Sequence, residues 1–295
     1  MDIRQQITDA IIHMIEEGAK KWQRPWQALA EQGLPSNYAT GHAYSGFNVL
    51  LLWHAAAERG YTRQEWLTFK QAQDLGGQVR KGAKGVLCAF FKMSPHGAGN
   101  NQGDDGTTPS AGFVPMLKPF WVFNVADVDN LPEQPTVELP AFSAIEEAER
   151  ILQGSGANII HGGNKAFFRP GTNDVHLPHP SAFKTPANYY AVGLHELTHW
   201  SGDAARLART FGKRFGDEAY AFEELVAELG SAFLMAHLGL QDTTLELHAS
   251  YLDSWLKVLR RDKTAIFTAS RHASAAYQFI VDASGRAILT PETVH

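Results

Sequence analysis

Two consecutive helical segments, apolar along most of their length yet carrying imidazoles and carboxylates, constrain this chain more than any other feature. Residues 186–201 read as a helix: Thr185 offers a capping hydroxyl, Pro186 takes the first helical position, and Gly202 closes the segment. Within it stands His195-Glu196-Leu197-Thr198-His199. Positions i and i+4 share one face of a helix, so both imidazoles can hold a single ion. Glu196, one position after the first histidine, can reach a metal-bound water and so occupies the general-base position of metal-assisted hydrolysis. The competing reading is a pair of partly buried histidines making ordinary hydrogen bonds.

A catalytic zinc takes three protein ligands and keeps one position open. The third is expected from the next helix, about 217–238, where Glu223, Glu224 and Glu228 interrupt an apolar run. A carboxylate on such a helix is costly unless it is paired or bound to metal. Glu224 and Glu228 share a face, whereas Glu223 points roughly 100° away from Glu224. Glu224 is therefore assigned as the ligand. Glu228, one turn on, is the acceptor that orients a ligand histidine, or else the alternative ligand. Glu223 is expected to be solvated. Zinc is the first choice of cofactor, one divalent ion in all, but imidazole and carboxylate also accept manganese or another transition metal.

Composition bounds the rest. The chain has 295 residues, 44% hydrophobic, which suits roughly two globular domains. A single cysteine, Cys88, rules out internal disulfides and a multi-cysteine zinc site. No apolar run approaches the roughly 20 residues that span a bilayer. The first residues, MDIRQQITDAIIHMIEEG, form an amphipathic pattern with Ile3, Ile7, Ile11 and Ile15 four apart, not a signal peptide. A soluble cytoplasmic protein with no membrane partner is the expectation.

Net charge is -5, yet the stretch from Arg59 to Lys92 sets seven basic residues against Glu65 and Asp74 only. Trp22, Trp26, Trp53, Trp66 and Trp121 all precede residue 135. Cations among aromatics suit single-stranded nucleic acid, whose backbone attracts charge and whose bases stack; a solvated basic face over a tryptophan-rich core is the other reading. Helices are expected at about 47–59, 62–66 and 70–75, and strands at 86–93 and 118–125. Between those strands, residues 94–115 read as a mobile insertion. Three prolines within 130–140 mark a linker. Beyond it come a helix from Ser143 to Gly154, strands at 158–161, 166–169 and 174–177, and helices at about 186–201, 217–238, 243–261 and 264–281.

His195-Glu-Leu-Thr-His-Trp200 followed by Glu223-Glu-Leu-Val-Ala-Glu228 resembles the zincin-like metallopeptidase domain of ArdC-type antirestriction proteins, carried by conjugative plasmids. Many relatives have Asp where this chain has Glu228. Tyr44-Ser-Gly-Phe-Asn48, Trp66-Leu-Thr-Phe-Lys-Gln71, Gly76-Gly-Gln-Val-Arg-Lys-Gly82 and Val122-Phe-Asn-Val125 resemble the same family's single-stranded-DNA-binding domain, which also occurs in plasmid primases of the TraC type. The resemblance implies a two-domain α+β protein: residues 1–130 binding single-stranded DNA, 131–140 a linker, and 141–295 a zincin-like domain with an active-site helix and a small sheet. It implies a role in protecting incoming DNA from host restriction, with a protein of that machinery as a further partner. Arg80, Lys81 and Lys84, with Lys70 behind them, become phosphate contacts on a Gly-rich turn. Trp22, Trp26, Tyr44 and Phe47 become stacking candidates, and Trp53 and Trp121 are expected in the core. The strand 174–177 is expected to be an edge strand that aligns an extended peptide.

Overall fold

The computed structural model describes residues 2–20, 33–95, 113–133, 144–210, 218–240 and 249–285. The expected linker lies mostly outside these residues, as does most of the expected insertion 94–115.

The N-terminal half is built on a four-stranded sheet. Strand β1 (Ser36–Asn37) runs parallel to β2 (Glu65–Thr68), which pairs antiparallel with β5 (Phe113–Asn124), and β5 pairs antiparallel with β4 (Val86–Pro95). The strands flanking residues 94–115 thus run further into that stretch than expected. Residues 65–68 are strand rather than the end of a short helix, because Trp66 and Leu67 are held between Asn37 on one side and Asn124 and Phe123 on the other. The short helix Phe69–Asp74 follows at once, its N-terminus closed by a Thr68–Gln71 capping box. Short strands β3 (Gln78–Val79) and β6 (Val128–Asp129) pair beside it.

Helix α1 (Ile3–Lys20) buries Ile7, Ile11 and Ile15, the stripe its sequence sets out. Helix α2 (Phe47–Arg59) starts at Gly46 and ends on Gly60, whose left-handed φ of 67° lets its N–H reach the Ala56 and Ala57 carbonyls. Asn48 does not cap this helix. Its side-chain amide pairs with the backbone N–H and C=O of Ala89, fastening α2 to β4.

With the short helix Phe69–Asp74 of the N-terminal half counted as α3, the C-terminal half opens with α4 (Ala144–Gly154), and a three-stranded sheet comes next. Its order places β9 (Asp174–Leu177) at the centre, parallel to β7 (Asn158–His161) and antiparallel to β8 (Phe167–Arg169). The expectation that 174–177 forms an edge is corrected: both its sides are paired, and among the described residues β7 and β8 are the edges. Helices α5 (Pro186–Ser201), α6 (Glu218–Leu238), α7 (Ala249–Arg261) and α8 (Ala265–Ala283) complete the half. Thr185 caps α5 by accepting from the Asn188 N–H, as its sequence suggests.

One apolar core runs through both halves. The Thr8 hydroxyl on α1 donates to the Lys263 carbonyl, and Phe47 meets Phe267 edge-on at 4.6 Å. Helices α5 and α6 approach closely at Gly230, where a Cβ would lie 2.6 Å from Thr198 Cγ2. No helix among the described residues is long and apolar enough to cross a membrane.

Gly230→Ala should force α5 and α6 apart, costing about 1–3 kcal/mol in urea denaturation. Adding Thr198→Ala to it should recover part of the loss; equal instability of the single and double variants would locate the strain elsewhere.

Candidate functional site

The α5–α6 contact brings together charge that neither helix could bury alone. His195 and His199 project from α5 with their Nε2 atoms 3.2 Å apart. Glu224, on α6, meets both: its two oxygens lie 3.5 Å from His195 Nε2 and 3.5 Å from His199 Nε2. One donor atom from each of these three buried residues falls within 4.8 Å of the others. That spacing leaves room for a divalent ion among them.

The outward ring nitrogens are engaged as well. His195 Nδ1 lies 3.6 Å from a Glu228 oxygen, and His199 Nδ1 lies 3.2 Å from Glu223 Oε1. Each imidazole thus has one nitrogen toward Glu224 and the other toward a second carboxylate. Such outer carboxylates fix ring orientation and keep the Nδ1 proton in place. Glu224 joins the imidazole pair, whereas Glu228, on the same face one turn on, reaches only the far side of His195.

Glu223 departs from expectation. It is 3% exposed, not solvated. Arg209, whose side chain is equally buried, grips it with Nε and Nη2 at 2.7–3.2 Å and also donates to the Thr198 carbonyl and the Ser201 hydroxyl. The guanidinium lies over Gly202, where a Cβ would be 2.6 Å from Arg209 Cζ. Nothing in the local pattern around Arg209 marks it as buried. The available signal was the cost of leaving Glu223 unpaired on an apolar helix.

Glu196 is 8% exposed and accepts a hydrogen bond from the Phe168 backbone N–H of β8. Burial raises its pKa above the ordinary carboxylate value, although the two histidines oppose the shift. Burial also works against protonating the histidines, but the carboxylates overcome it. Glu224 and Glu228 raise His195 to about 9, and Glu223 and Glu224 raise His199 to about 10. Glu224 is itself held well below the usual range by the imidazoles, against its own burial. His176 and His179 lie in and beside the small sheet; His237 hydrogen-bonds the Tyr277 hydroxyl at 3.0 Å. None of them joins the three-residue group.

The N-terminal candidates divide differently. Trp22 and Trp26 lie outside the described residues. Tyr44 and Phe47 are buried, 6% and 5% exposed, so neither offers a face to a base. Tyr44 accepts from the Asn37 amide, and Phe47 is covered by Phe267 from the other half. Trp53 is fully buried as expected, but Trp121 is 56% exposed rather than in the core. Arg80 is exposed yet committed to Asp129 and the Ala126 carbonyl, tying β3 to β6. Lys70, Lys81 and Lys84 are exposed.

Two helices presenting paired imidazoles and a carboxylate, beside a small sheet, define a zincin-like metallopeptidase domain, and residues 146–272 match that family. Residues 1–123 match the N-terminal domain of the anti-restriction factor ArdC. The metal-free crystal structure of the ArdC antirestriction protein from plasmid R388 is 37% identical in sequence, with a TM-score of 0.78 over 97% of this chain and 98% of that one. The Mn(II)-bound form gives a TM-score of 0.77 over 96% and 98% at the same identity. The uncharacterized protein y4eC of Sinorhizobium fredii is 41% identical over 92% of this chain and 89% of its own length. A DNA primase TraC of Escherichia coli is 36% identical over 94% of this chain, which spans 27% of that protein. The chain belongs to the ArdC antirestriction family.

Both imidazole pKa values stand above the unfolded value of 6.5, so the folded metal-stripped protein holds protons that the unfolded chain releases. Their stabilising effect is complete below pH 6.5 and disappears as pH rises through about 9 and 10. Thermal melts of metal-stripped protein should therefore show falling Tm across that window. Added metal, which needs the neutral rings, should bind more tightly over the same rise. A flat melting profile would contradict this. Arg209→Ala, which strands Glu223 in the interior, should cost about 3–5 kcal/mol in urea denaturation. Glu223→Gln should weaken metal binding about 10–100-fold in chelator competition.

Proposed function

We propose that this protein is a metal-dependent peptidase joined to a single-stranded-DNA-binding region, and that it shields incoming plasmid DNA from host restriction. The observation that carries the peptidase half is the convergence of both Nε2 atoms on Glu224 with Glu196 buried alongside. In this reading His195, His199 and Glu224 hold one divalent ion. The nitrogen–oxygen donor set suits zinc, and the Mn(II)-bound R388 structure makes manganese equally admissible. Such an ion supplies Lewis acidity and makes water a stronger acid.

The chain's own residues do the remainder. Glu228 and Glu223 hold the Nδ1 side of the two rings, which leaves Nε2 unprotonated for the ion. Glu196 takes a proton from the attacking water at a carboxylate that burial has made more basic, and returns it to the leaving amine. The Phe168 N–H fixes the orientation of that carboxylate. An extended peptide then aligns along β8, an edge among the described residues, beside Glu196, rather than along β9.

The DNA-binding half rests on the basic stretch 59–92 and the match of residues 1–123 to the ArdC N-terminal domain. Together the two halves fit the antirestriction role of the family, whether by covering the strand, by acting on a host protein, or by both.

Glu196→Ala should leave metal content unchanged and abolish cleavage of unfolded casein by protein loaded with zinc or manganese. Cleavage at the wild-type rate in Glu196→Ala would refute the assigned base. A plasmid-protection assay on the same variant separates the two halves: survival of protection assigns it to DNA binding alone.

A further inference from the structure

Three aromatic side chains of the N-terminal half, Trp121, Phe123 and Phe69, lie together at the surface, whereas Phe91, 46% exposed, turns to Phe267. Trp121 is 56% exposed and Phe69 is 51% exposed. Phe123, half-buried, joins them. Its ring meets Phe69 edge-on at 6.4 Å, and it stands two residues from Trp121 on β5, hence on the same face of the sheet. Gly85 lies beneath both rings of the strand. A Cβ there would come within 3.2 Å of Trp121 Cε3 and 3.3 Å of Phe123 Cζ. The missing side chain lets the indole and the phenyl ring lie down over the backbone. Phe123 rests in part on the small cluster around Leu67, but the exposed indole is not explained by the main core, which Trp66 and Val122 fill from the other side.

Exposed cations flank this row. Lys70 adjoins Phe69, Lys84 adjoins Gly85, and Lys81 stands on the same turn; all three are exposed. Among the described residues, none of the three has a carboxylate within ion-pair distance, whereas Arg63 and Arg80 are taken up by Glu65 and Asp129. Arg59 braces the turn by donating to the Lys84 carbonyl. Flat apolar faces flanked by uncommitted cations complement a polyanion whose bases are free to leave their own stack. Duplex DNA, with its bases already stacked, would use the cations and leave the rings idle.

We propose that Trp121, Phe123 and Phe69 form the platform on which bases of single-stranded DNA stack, with Lys70, Lys81 and Lys84 neutralising the phosphates. The inference rests on the reading that this half binds single-stranded DNA, and replaces Tyr44 and Phe47, both buried, with rings open to solvent.

The test is fluorescence anisotropy of a labelled oligothymidylate with the full-length protein, titrated with salt. Trp121→Ala and Phe69→Ala should each weaken binding about tenfold, the loss of one stacked base. Trp121→Phe should keep most of the affinity, and Gly85→Val, which props both rings off the backbone, should lower it like the alanine variants. Lys84→Ala should reduce the salt slope by about 0.7, one phosphate contact on a single strand. Unchanged melting temperatures for these surface variants would assign the losses to contact rather than folding. Wild-type binding that persists undiminished in Trp121→Ala and Phe69→Ala would overturn the platform while leaving DNA binding standing. No binding by the wild type at low salt would overturn both.

Discussion

The structure depends on burying opposite charges together between α5 and α6. Two imidazoles, three glutamates from α6 and one guanidinium are withdrawn from water within a few ångströms of one another. Any one of them left alone would be expensive. Set together, His195 and His199 lie between inner Glu224 and outer Glu223 and Glu228, and Arg209 balances Glu223. The close approach at Gly230 and Thr198 makes the arrangement possible, since a wider helix pair would let water in between the charges. The apolar mass around it, from Leu194 and Leu197 on α5 to Leu225 and Leu229 on α6, holds the polar cluster in one geometry.

The same economy places the general base. Glu196 shares the helix of the two imidazoles but takes its hydrogen bond from the backbone of β8, so the small sheet and the helix together set its orientation. The sheet therefore does more than cover the helix. Its strand β8, an edge among the described residues, supplies the backbone N–H that the Glu196 carboxylate accepts. The N-terminal half is coupled to this assembly by packing as well as by sequence: α1 lies against α7, and Phe267 on α8 covers Phe47.

Much of the site was legible in the sequence because helical periodicity is local. His195 and His199 four apart, and Glu224 and Glu228 four apart on an apolar helix, announce a shared face without knowledge of the fold. Glu223 was misread because its partner lies in the segment after α5, and no local pattern distinguishes a buried arginine from a solvated one. Trp121 was misread because β5 is apolar on both faces: Val122 is buried and Trp121 is not, and alternation cannot tell which side meets the core. Tyr44 and Phe47 look loop-like in sequence, but their cover comes from more distant segments. Residues 65–68 and the order of the small sheet were missed for one reason: strand pairing is decided by partners far away in the chain.

In the proposed centre three residues hold one ion while a fourth, Glu228, one turn away from Glu224, only supports them. Elemental analysis of protein purified without chelator, as wild type, Glu224→Ala and Glu228→Ala, tests this directly. One equivalent of a divalent transition metal in the wild type, lost in Glu224→Ala and largely retained in Glu228→Ala, is the predicted result. No metal in the wild type, or loss in Glu228→Ala with retention in Glu224→Ala, would contradict it.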